Sequence, residues 1–431
     1  MTKDKILKSN VLHSLVWRAL NMILMYLTVP FLLLYLGDEY YGVWVTIYGL
    51  FVTIYFMDIG ISLGLKNKLT EALTIKDYNL ANIYISTAYL AIFFMSLFIL
   101  AVGACFIFFF KMNQLFNIEI EESKMKLIIL INLFLVVLSV SINIYKSLYM
   151  AIQKSYKNET ALAIYQALIF LGIILLPYLI KKSLVLVSLI YGITNIAIGL
   201  IFTALFFYKN KHLKPKLKFF RRERMGEIMG LGINFFVIQL SLIIILSTDN
   251  IIITYFVNPE STTVYSIVYK IFQPFLILSS LIFTPLWTLF TDAYKTREII
   301  WIKKTLFNLN ILFIVLFVAL ILVGINIHWI IKIWIGKDYI LPQALIIFMI
   351  AFILIRVYGD IYMTFLNGIG KIKLQMWLYL FGAIINIPLS ILFVKYYGLG
   401  SSGVILATCL SLLGLAIFMP IQALKTIKKI N

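Results

Sequence analysis

The sequence has few of the side chains that soluble proteins use for chemistry and solvation. Charged residues make up only 13% of its 431 positions, with two cysteines and three histidines. Cys105 and Cys409 lie in apolar stretches, which argues against a disulfide framework or a metal centre. His13, His212 and His328 are far apart, and no zinc spacing, nucleophile elbow or phosphate-binding glycine loop accompanies them. We therefore expect no cofactor, no metal and no enzymatic activity.

Apolar residues are what the sequence has in excess. They make up 62% of it, and the mean hydropathy is +1.01, whereas soluble domains are about 45–50% apolar. A bilayer core about 30 Å thick needs about 20 apolar residues per helix. Apolar runs and turn signals predict an all-α polytopic membrane protein with about twelve transmembrane helices, near residues 12–36, 41–64, 81–110, 127–150, 160–180, 184–208, 229–256, 263–290, 305–331, 341–365, 376–396 and 402–424.

The net charge of +19, from 37 Lys and Arg against 18 Asp and Glu, follows the predicted topology. In a soluble protein it would suggest nucleic-acid binding, but cytoplasmic loops of membrane proteins collect Lys and Arg. Most of the cations fall on one side if the N-terminus is cytoplasmic, so we expect both termini inside and no nucleic-acid partner. The densest basic run, 209–224, is interpreted as a topology-setting linker, with lipid binding as the alternative. It divides the chain into 1–208, a linker at 209–228, and 229–431.

The two halves contain a weak internal repeat. An aromatic pattern after the first predicted outside turn recurs about 220 residues later: Val43, Trp44, Tyr48 and Phe51 correspond to Val264, Tyr265, Tyr269 and Phe272. A shift of six spans preserves orientation, so the pattern predicts two related six-helix bundles in parallel. Transporters that rock two bundles about a central site are commonly built in this way.

Four cations lie inside predicted spans, at least four residues from either end, where each would cost about 2.5–3.5 kcal/mol near a helix centre. They are Arg18, Lys146, Lys270 and Arg356. Because Arg and Lys are the usual partners of phosphate oxygens, we predict that they line a central cavity and bind an anionic headgroup. The amides of Asn21, Asn143 and Gln273 follow the same polar stripes and are included in this candidate substrate site.

Three acids at similar depth are candidate partners of these cations. Asp58 could reach Arg18, Asp249 could reach Lys270, and Asp360 follows Arg356 by four residues on one helix face. They are predicted to form ion pairs or to load a coupling ion. In the structural alternative, these groups only lock helices together, or Lys146 extends to the membrane boundary.

A pair of glycines marks the second predicted span. Gly60 and Gly64 place two small residues four positions apart on one helix face. This spacing predicts close helix packing.

Six segments carry a resemblance to a known family: YLGDEYYGVW at 35–44, MDIGISLG at 57–64, STDNIII at 247–253, TPLW at 284–287, LNGIGK at 366–371 and YGLGSSG at 397–403. In their order and spacing, the chain resembles the polysaccharide-transporter branch of the multidrug/oligosaccharidyl-lipid/polysaccharide (MOP) exporter superfamily, and most of all its O-antigen repeat-unit flippases. The resemblance implies two six-helix bundles around a central cavity. It also implies transfer of an undecaprenyl-diphosphate-linked glycan from the cytoplasmic to the outer leaflet of the bacterial inner membrane, driven by H⁺ or Na⁺.

Two other functions compete with this one. A cation-coupled multidrug exporter of the same superfamily would need an acidic cavity, which the buried cations disfavour. An integral-membrane polysaccharide enzyme would need a long outside loop or a catalytic cluster, and the sequence has neither. We expect a monomer with membrane lipids around it.

Overall fold

The computed structural model describes residues 3–55, 60–229 and 233–429, and within these ranges it contains sixteen α-helices, two short 3₁₀ turns and no strand. Eleven of the described helices are long and apolar enough to cross a membrane. They form two compact units, Met1–Phe236 and Val237–Asn431. The predicted all-α polytopic fold is confirmed.

The first candidate span is long enough for two membrane crossings. It covers 36 residues, Val16–Phe51, or about 54 Å at 1.5 Å per residue, whereas the hydrocarbon core is about 30 Å thick. Gly37 interrupts it with φ 73° and ψ 169°, a conformation that glycine adopts without steric cost. The segment therefore corresponds to the predicted first span and the beginning of the second, which makes the number of crossings consistent with twelve.

The helices of the first unit are α1 Lys3–Tyr55, α2 Ile61–Thr74, α3 Tyr78–Phe109, α4 Met112–Leu115, α5 Glu122–Ile142, α6 Tyr145–Ala151, α7 Tyr156–Leu179, α8 Leu184–Lys209 and α9 Glu223–Met229. Helix α1 packs mainly on α7, and α5 packs on α3 and α8. The α5–α8 contact depends on a glycine: a Cβ added at Gly192 would lie 2.5 Å from Leu135.

The helices of the second unit are α10 Ile233–Phe256, α11 Pro259–Lys295, α12 Ile299–Ile325, α13 Ile327–Ile335, α14 Gln343–Gly368, α15 Lys373–Lys395 and α16 Gly400–Lys428. Helix α16 packs against both α14 and α15. At the α15–α16 contact, a Cβ added at Gly382 would lie 2.6 Å from the carbonyl oxygen of Ser411, so the two backbones approach closely because this position has no side chain.

The backbone supports the internal repeat at two turns. Lys76 and Arg297, which are 221 positions apart, have φ 59° and 60°, and each is followed by an amide that bonds back over five residues, with N···O distances of 3.0 and 2.8 Å. Gln153 and Gly370, which are 217 positions apart, have φ 58° and 74°. The next amide again bonds back over five residues in both cases, at 2.8 and 2.9 Å. The same turns therefore recur at matching places in the two units.

The basic linker belongs to the first unit and packs on α3. Buried polar side chains of α3 hold it: the Asn82 amide donates to the His212 carbonyl at 2.7 Å, and the backbone amides of Lys216 and Arg221 donate to Ser86 and Thr87 at 3.0 and 3.2 Å. These contacts satisfy polar groups that would otherwise be buried without partners.

Helix α9 completes the docking of the linker. The Tyr84 hydroxyl donates to Glu227 at 2.7 Å, and a Cβ added at Gly64 would lie 1.8 Å from the Ile228 carbonyl oxygen. The predicted close packing is therefore present at Gly64, where α2 meets α9. At Gly60 the structure shows a helix start with φ 74° and no atom within 4 Å of an added Cβ, so that glycine serves the backbone turn.

Candidate functional site

A break in the fourth predicted span positions Lys146. Helix α5 ends at Ile142 and α6 begins at Tyr145, and the Asn158 side chain donates to the Lys146 carbonyl at 3.0 Å. Irregular backbone inside a membrane is tolerated where protein groups replace the missing hydrogen bonds. The break directs Lys146 toward a pocket of the first unit.

The pocket has a volume of about 240 Å³ and an aromatic wall. The rings of Trp44 and Tyr191 are 4.9 Å apart, and Tyr48 lies 5.6 Å from Trp44 and 5.4 Å from Tyr191. Phe51 and Tyr165 extend this wall. Such rings provide apolar faces together with hydroxyl groups, a combination suited to the alternating C–H and O–H surface of a sugar.

Polar side chains also line the pocket. Lys146, Asn132, Ser188 and Asn195 line it, with Asn132 donating to Ser188 at 2.7 Å. Asn143 donates to Asn195 at 3.3 Å and lines an adjacent cavity of about 20 Å³ together with Lys146, which is room for about one water molecule. Asn143 and Lys146 therefore line the same small cavity.

Arg18 lies near this site and pairs with an acid that the sequence analysis did not name. Its guanidinium bonds to the Glu159 carboxylate of α7 at 3.0 and 3.5 Å, and Glu159 also interacts electrostatically with Lys146. The predicted partner, Asp58, lies outside the described residues. Glu159 was missed because its pairing spans 141 positions, although it is the only acid of α7. Asn21 is half-buried on α1, three residues after Arg18.

Asp249 is a buried acid of the second unit with hydroxyl partners. The Tyr265 hydroxyl donates to it at 2.7 Å, and the Thr408 hydroxyl lies 3.2 Å from both carboxylate oxygens. The Asn386 amide donates in turn to Thr408 at 3.1 Å. Asp249, Thr408 and Asn386 are all at most 1% exposed, so this chain of bonds supplies the acid with partners inside the protein.

Lys270 and Gln273 lie three residues apart on α11, both half-buried. Their spacing places them on one face of that helix. The ion pair between Lys270 and Asp249 stays a prediction.

Arg356 is held by a pair of neighbours. It bonds to Asp360 at 3.1 Å, one turn along α14, as the spacing predicted. It also donates to the Tyr379 hydroxyl of α15, with its guanidinium carbon 5.5 Å from that ring. These contacts join α14 to α15, which favours the structural interpretation of Arg356.

No group of three or more potential ligands able to hold a metal ion occurs in the part of the chain that the structure describes.

The whole chain has counterparts among solved structures. An inward-facing multidrug resistance MATE family transporter of the MOP superfamily matches with a TM-score of 0.81 at 14% identity, over 97% of this chain and 98% of that one. This chain has the fold of the MOP transporters. An outward-facing structure of a multidrug resistance MATE family transporter of this superfamily matches with a TM-score of 0.70 at 15% identity, over 100% and 99% of the two chains.

Other matches agree with this MOP fold. A MOP superfamily transporter from Pyrococcus furiosus, described as having a binding pocket of reverse polarity, gives a TM-score of 0.68 at 15% identity, over 98% and 96% of the two chains. In sequence, a Salmonella typhi protein provisionally named an O-antigen transporter is 25% identical over 361 residues, which covers 81% of this chain and 80% of that protein. No family model matches the sequence.

These similarities confirm the predicted resemblance to the MOP superfamily. The chain is a multi-pass membrane protein, and its relatives are transporters rather than enzymes.

Proposed function

We propose that this protein transfers undecaprenyl-diphosphate-linked oligosaccharide repeat units from the cytoplasmic to the outer leaflet by alternating access. The observation that carries the proposal is the pocket of the first unit, which is lined by Lys146 together with aromatic, amide and hydroxyl side chains. A cation suits phosphate, and the aromatic and amide groups suit sugars. The similarity to the provisionally named Salmonella typhi O-antigen transporter supports the same substrate class.

The charge of the pocket region favours an anionic cargo over an organic cation. Arg18 and Lys146 supply two positive charges and Glu159 one negative charge, which leaves a net +1. A low-dielectric surrounding strengthens the attraction of such a site for phosphate. The same net positive charge repels organic cations, which are the substrates of a cation-coupled drug exporter.

The pocket accommodates part of the cargo. Its volume of about 240 Å³ lies below the ~300–1,000 Å³ of typical small-molecule sites. We therefore assign to it a phosphate-bearing end of the cargo with an adjoining sugar. Lys270 and Gln273 of α11 stay candidate contacts for the cargo, whereas Arg356 is assigned to the contact between α14 and α15.

Coupling to H⁺ or Na⁺ belongs to the same proposal. Asp249 is the best candidate, because its hydroxyl partners can donate to a carboxylate and accept from the protonated acid. Asp58 and Asp360 are the other acids assigned to ion coupling. We further propose that the protein acts as a monomer in the bacterial inner membrane, with both termini in the cytoplasm.

Reconstitution in liposomes tests this function. A lipid-linked oligosaccharide carrying a fluorescent label would be followed by outer-leaflet quenching, with and without a pH or sodium gradient. Lys146→Gln should slow transfer about 10- to 150-fold, because a hydrogen bond to a charged group contributes about 1.5–3 kcal/mol. Lys146→Arg should retain most of the activity, and Lys124→Gln, at a surface position, should retain all of it.

Two results would contradict the proposal. The first is normal transfer by Lys146→Gln at normal expression. The second is transport of ethidium by the wild-type protein with no transfer of the glycan lipid, which would establish a drug exporter instead.

A further inference from the structure

The second unit has a basic groove at the membrane face where α14 and α16 end and α15 begins. Its volume is about 680 Å³. Four lysines line it: Lys371 follows α14, and Lys425, Lys428 and Lys429 lie at the end of α16. None of the nine described residues that line the groove is acidic. The basic groove is thus defined by these four lysines, and it is separate from the pocket assigned to the cargo.

One face of α16 changes from apolar to basic as it reaches this groove. Phe418 and Ile421 are 48% and 44% exposed, and Lys425 and Lys428 follow at spacings of three to four residues, which place them on the same stripe. From Phe418 to Lys428 the stripe extends about 15 Å, at 1.5 Å per residue. Leu374 of α15 adds apolar surface on the other side of the groove.

This order of surfaces matches that of a phospholipid. Acyl chains would contact the apolar part of the stripe, while the phosphate would meet the lysines at the boundary of the bilayer. A soluble anion would need only the lysines. Basic pockets between transmembrane helices are known to recognise anionic lipid headgroups.

A bound anion would also reduce the electrostatic repulsion among the lysines of α16. Lys425 and Lys428 are three positions apart, and Lys425 and Lys429 four positions apart, so their like charges repel along the helix. Lys371 points into the same region, since its ammonium lies 3.4 Å from the Thr426 hydroxyl. A phosphate between these groups would neutralise the repulsion.

We infer that the basic groove binds one anionic phospholipid from the surrounding bilayer. This inference goes beyond the proposed transport function and does not depend on it. The lipid would be recognised by its phosphate charge through the four lysines, and its chains would pack along Phe418, Ile421 and Leu374.

Native mass spectrometry of the purified full-length protein tests the inference, with phosphatidylglycerol and phosphatidylcholine of identical chains as probes. The wild-type protein should retain one phosphatidylglycerol in preference to phosphatidylcholine. Changing all four groove lysines to Gln should weaken that retention by about 25-fold if two lysines contact the phosphate and by up to about 600-fold if all four do, since each lysine near an anionic headgroup is worth about fivefold. Changing four exposed lysines outside both the groove and the linker, Lys76, Lys154, Lys303 and Lys304, to Gln removes the same charge elsewhere and should leave retention unchanged.

Further arms separate folding and the source of the phosphate. Changing the four groove lysines to Arg should preserve binding, and the Gln variant should match the wild-type thermal midpoint in phosphatidylcholine, which shows that it folds. Equal retention of the two lipids, or equal loss in the groove variant and in the control variant, would overturn the inference. So would displacement of the lipid by millimolar inorganic diphosphate, or stronger retention of a polyprenyl diphosphate, because either would assign the groove to another phosphate source.

Discussion

Replacing Gly64 by Ala should undock the linker helix α9 from α2. A methyl group added there would lie 1.8 Å from the Ile228 carbonyl oxygen and 2.7 Å from its carbon, whereas non-bonded atoms settle near 3.5 Å. Helix α9 must therefore move by about 1.5 Å. That displacement is enough to break the 2.7 Å bond between Tyr84 and Glu227.

The size of the effect follows from these contacts. Overpacking a close contact costs about 1–3 kcal/mol, and the lost hydrogen bond adds about 1 kcal/mol after allowance for the half-exposed Glu227. The higher helix propensity of Ala returns up to about 1 kcal/mol. The net cost of about 1–3 kcal/mol raises the undocked population about 5- to 150-fold.

Limited trypsin digestion measures that population, because cleavage of a rapidly reclosing segment follows its equilibrium opening. Cuts after Arg221, Arg222 and Arg224, identified by mass spectrometry, should become faster by that factor in Gly64→Ala. Gly226→Ala is the matched control: it lies on α9 itself, and nothing stands within 4 Å of an added Cβ, so cleavage should stay equal or become slower. Wild-type cleavage rates in Gly64→Ala, or the same acceleration in both variants, would refute the packing argument.

Three other predictions follow from described contacts. Asp249→Ala leaves two buried hydroxyl donors without an acceptor and should lower the stability by about 2–6 kcal/mol, measured as a lower thermal midpoint. Asp249→Asn keeps an acceptor oxygen and should lose less. An equal loss in both variants would count against the hydrogen-bond network. Gly370→Gln puts a side chain at φ 74° and should lower the stability of the protein by about 1–2 kcal/mol, whereas Gln153→Gly should raise it. A higher thermal midpoint for Gly370→Gln than for Gln153→Gly would disprove strain at this turn. The Tyr84 hydrogen bond, with the Arg224 charge, lowers the pKa of Glu227, so linker docking should be strongest at neutral pH and weaken as pH falls through this lowered pKa. Hydrogen exchange in α9, corrected for intrinsic rates, should become faster over that pH range. Glu227→Gln should abolish the pH response.

The spans could be predicted from the sequence because each is a local pattern of apolar residues between turn signals. The boundary between the first two spans could not be located to a single residue. Asp38 and Glu39 look like a polar loop, but they lie directly after the interruption at Gly37, in the first turn of the continuing helix, where acids are favoured by the helix dipole. The two helices therefore meet at a single residue.

The candidate site was predicted only in part, for a similar reason. The cost of cations in lipid identified Lys146, and the four-residue spacing identified the Arg356–Asp360 pair. Contacts between helices that are distant in sequence leave no local pattern. Arg18 and its partner Glu159 are 141 positions apart, and Asp249 and its hydroxyl partner on α16 are 159 positions apart. A single sequence contains no information on which distant helix lies beside another.

The matching turns at Gln153 and Gly370 give the two units a common backbone register, in which side chains can be compared one to one. Aligning the copies on these turns sets Lys146 against Met363, with Tyr145 against Tyr362 beside it. At this register one unit has an ammonium group where the other has a thioether, so the similarity of the backbones does not extend to the chemistry of the side chains.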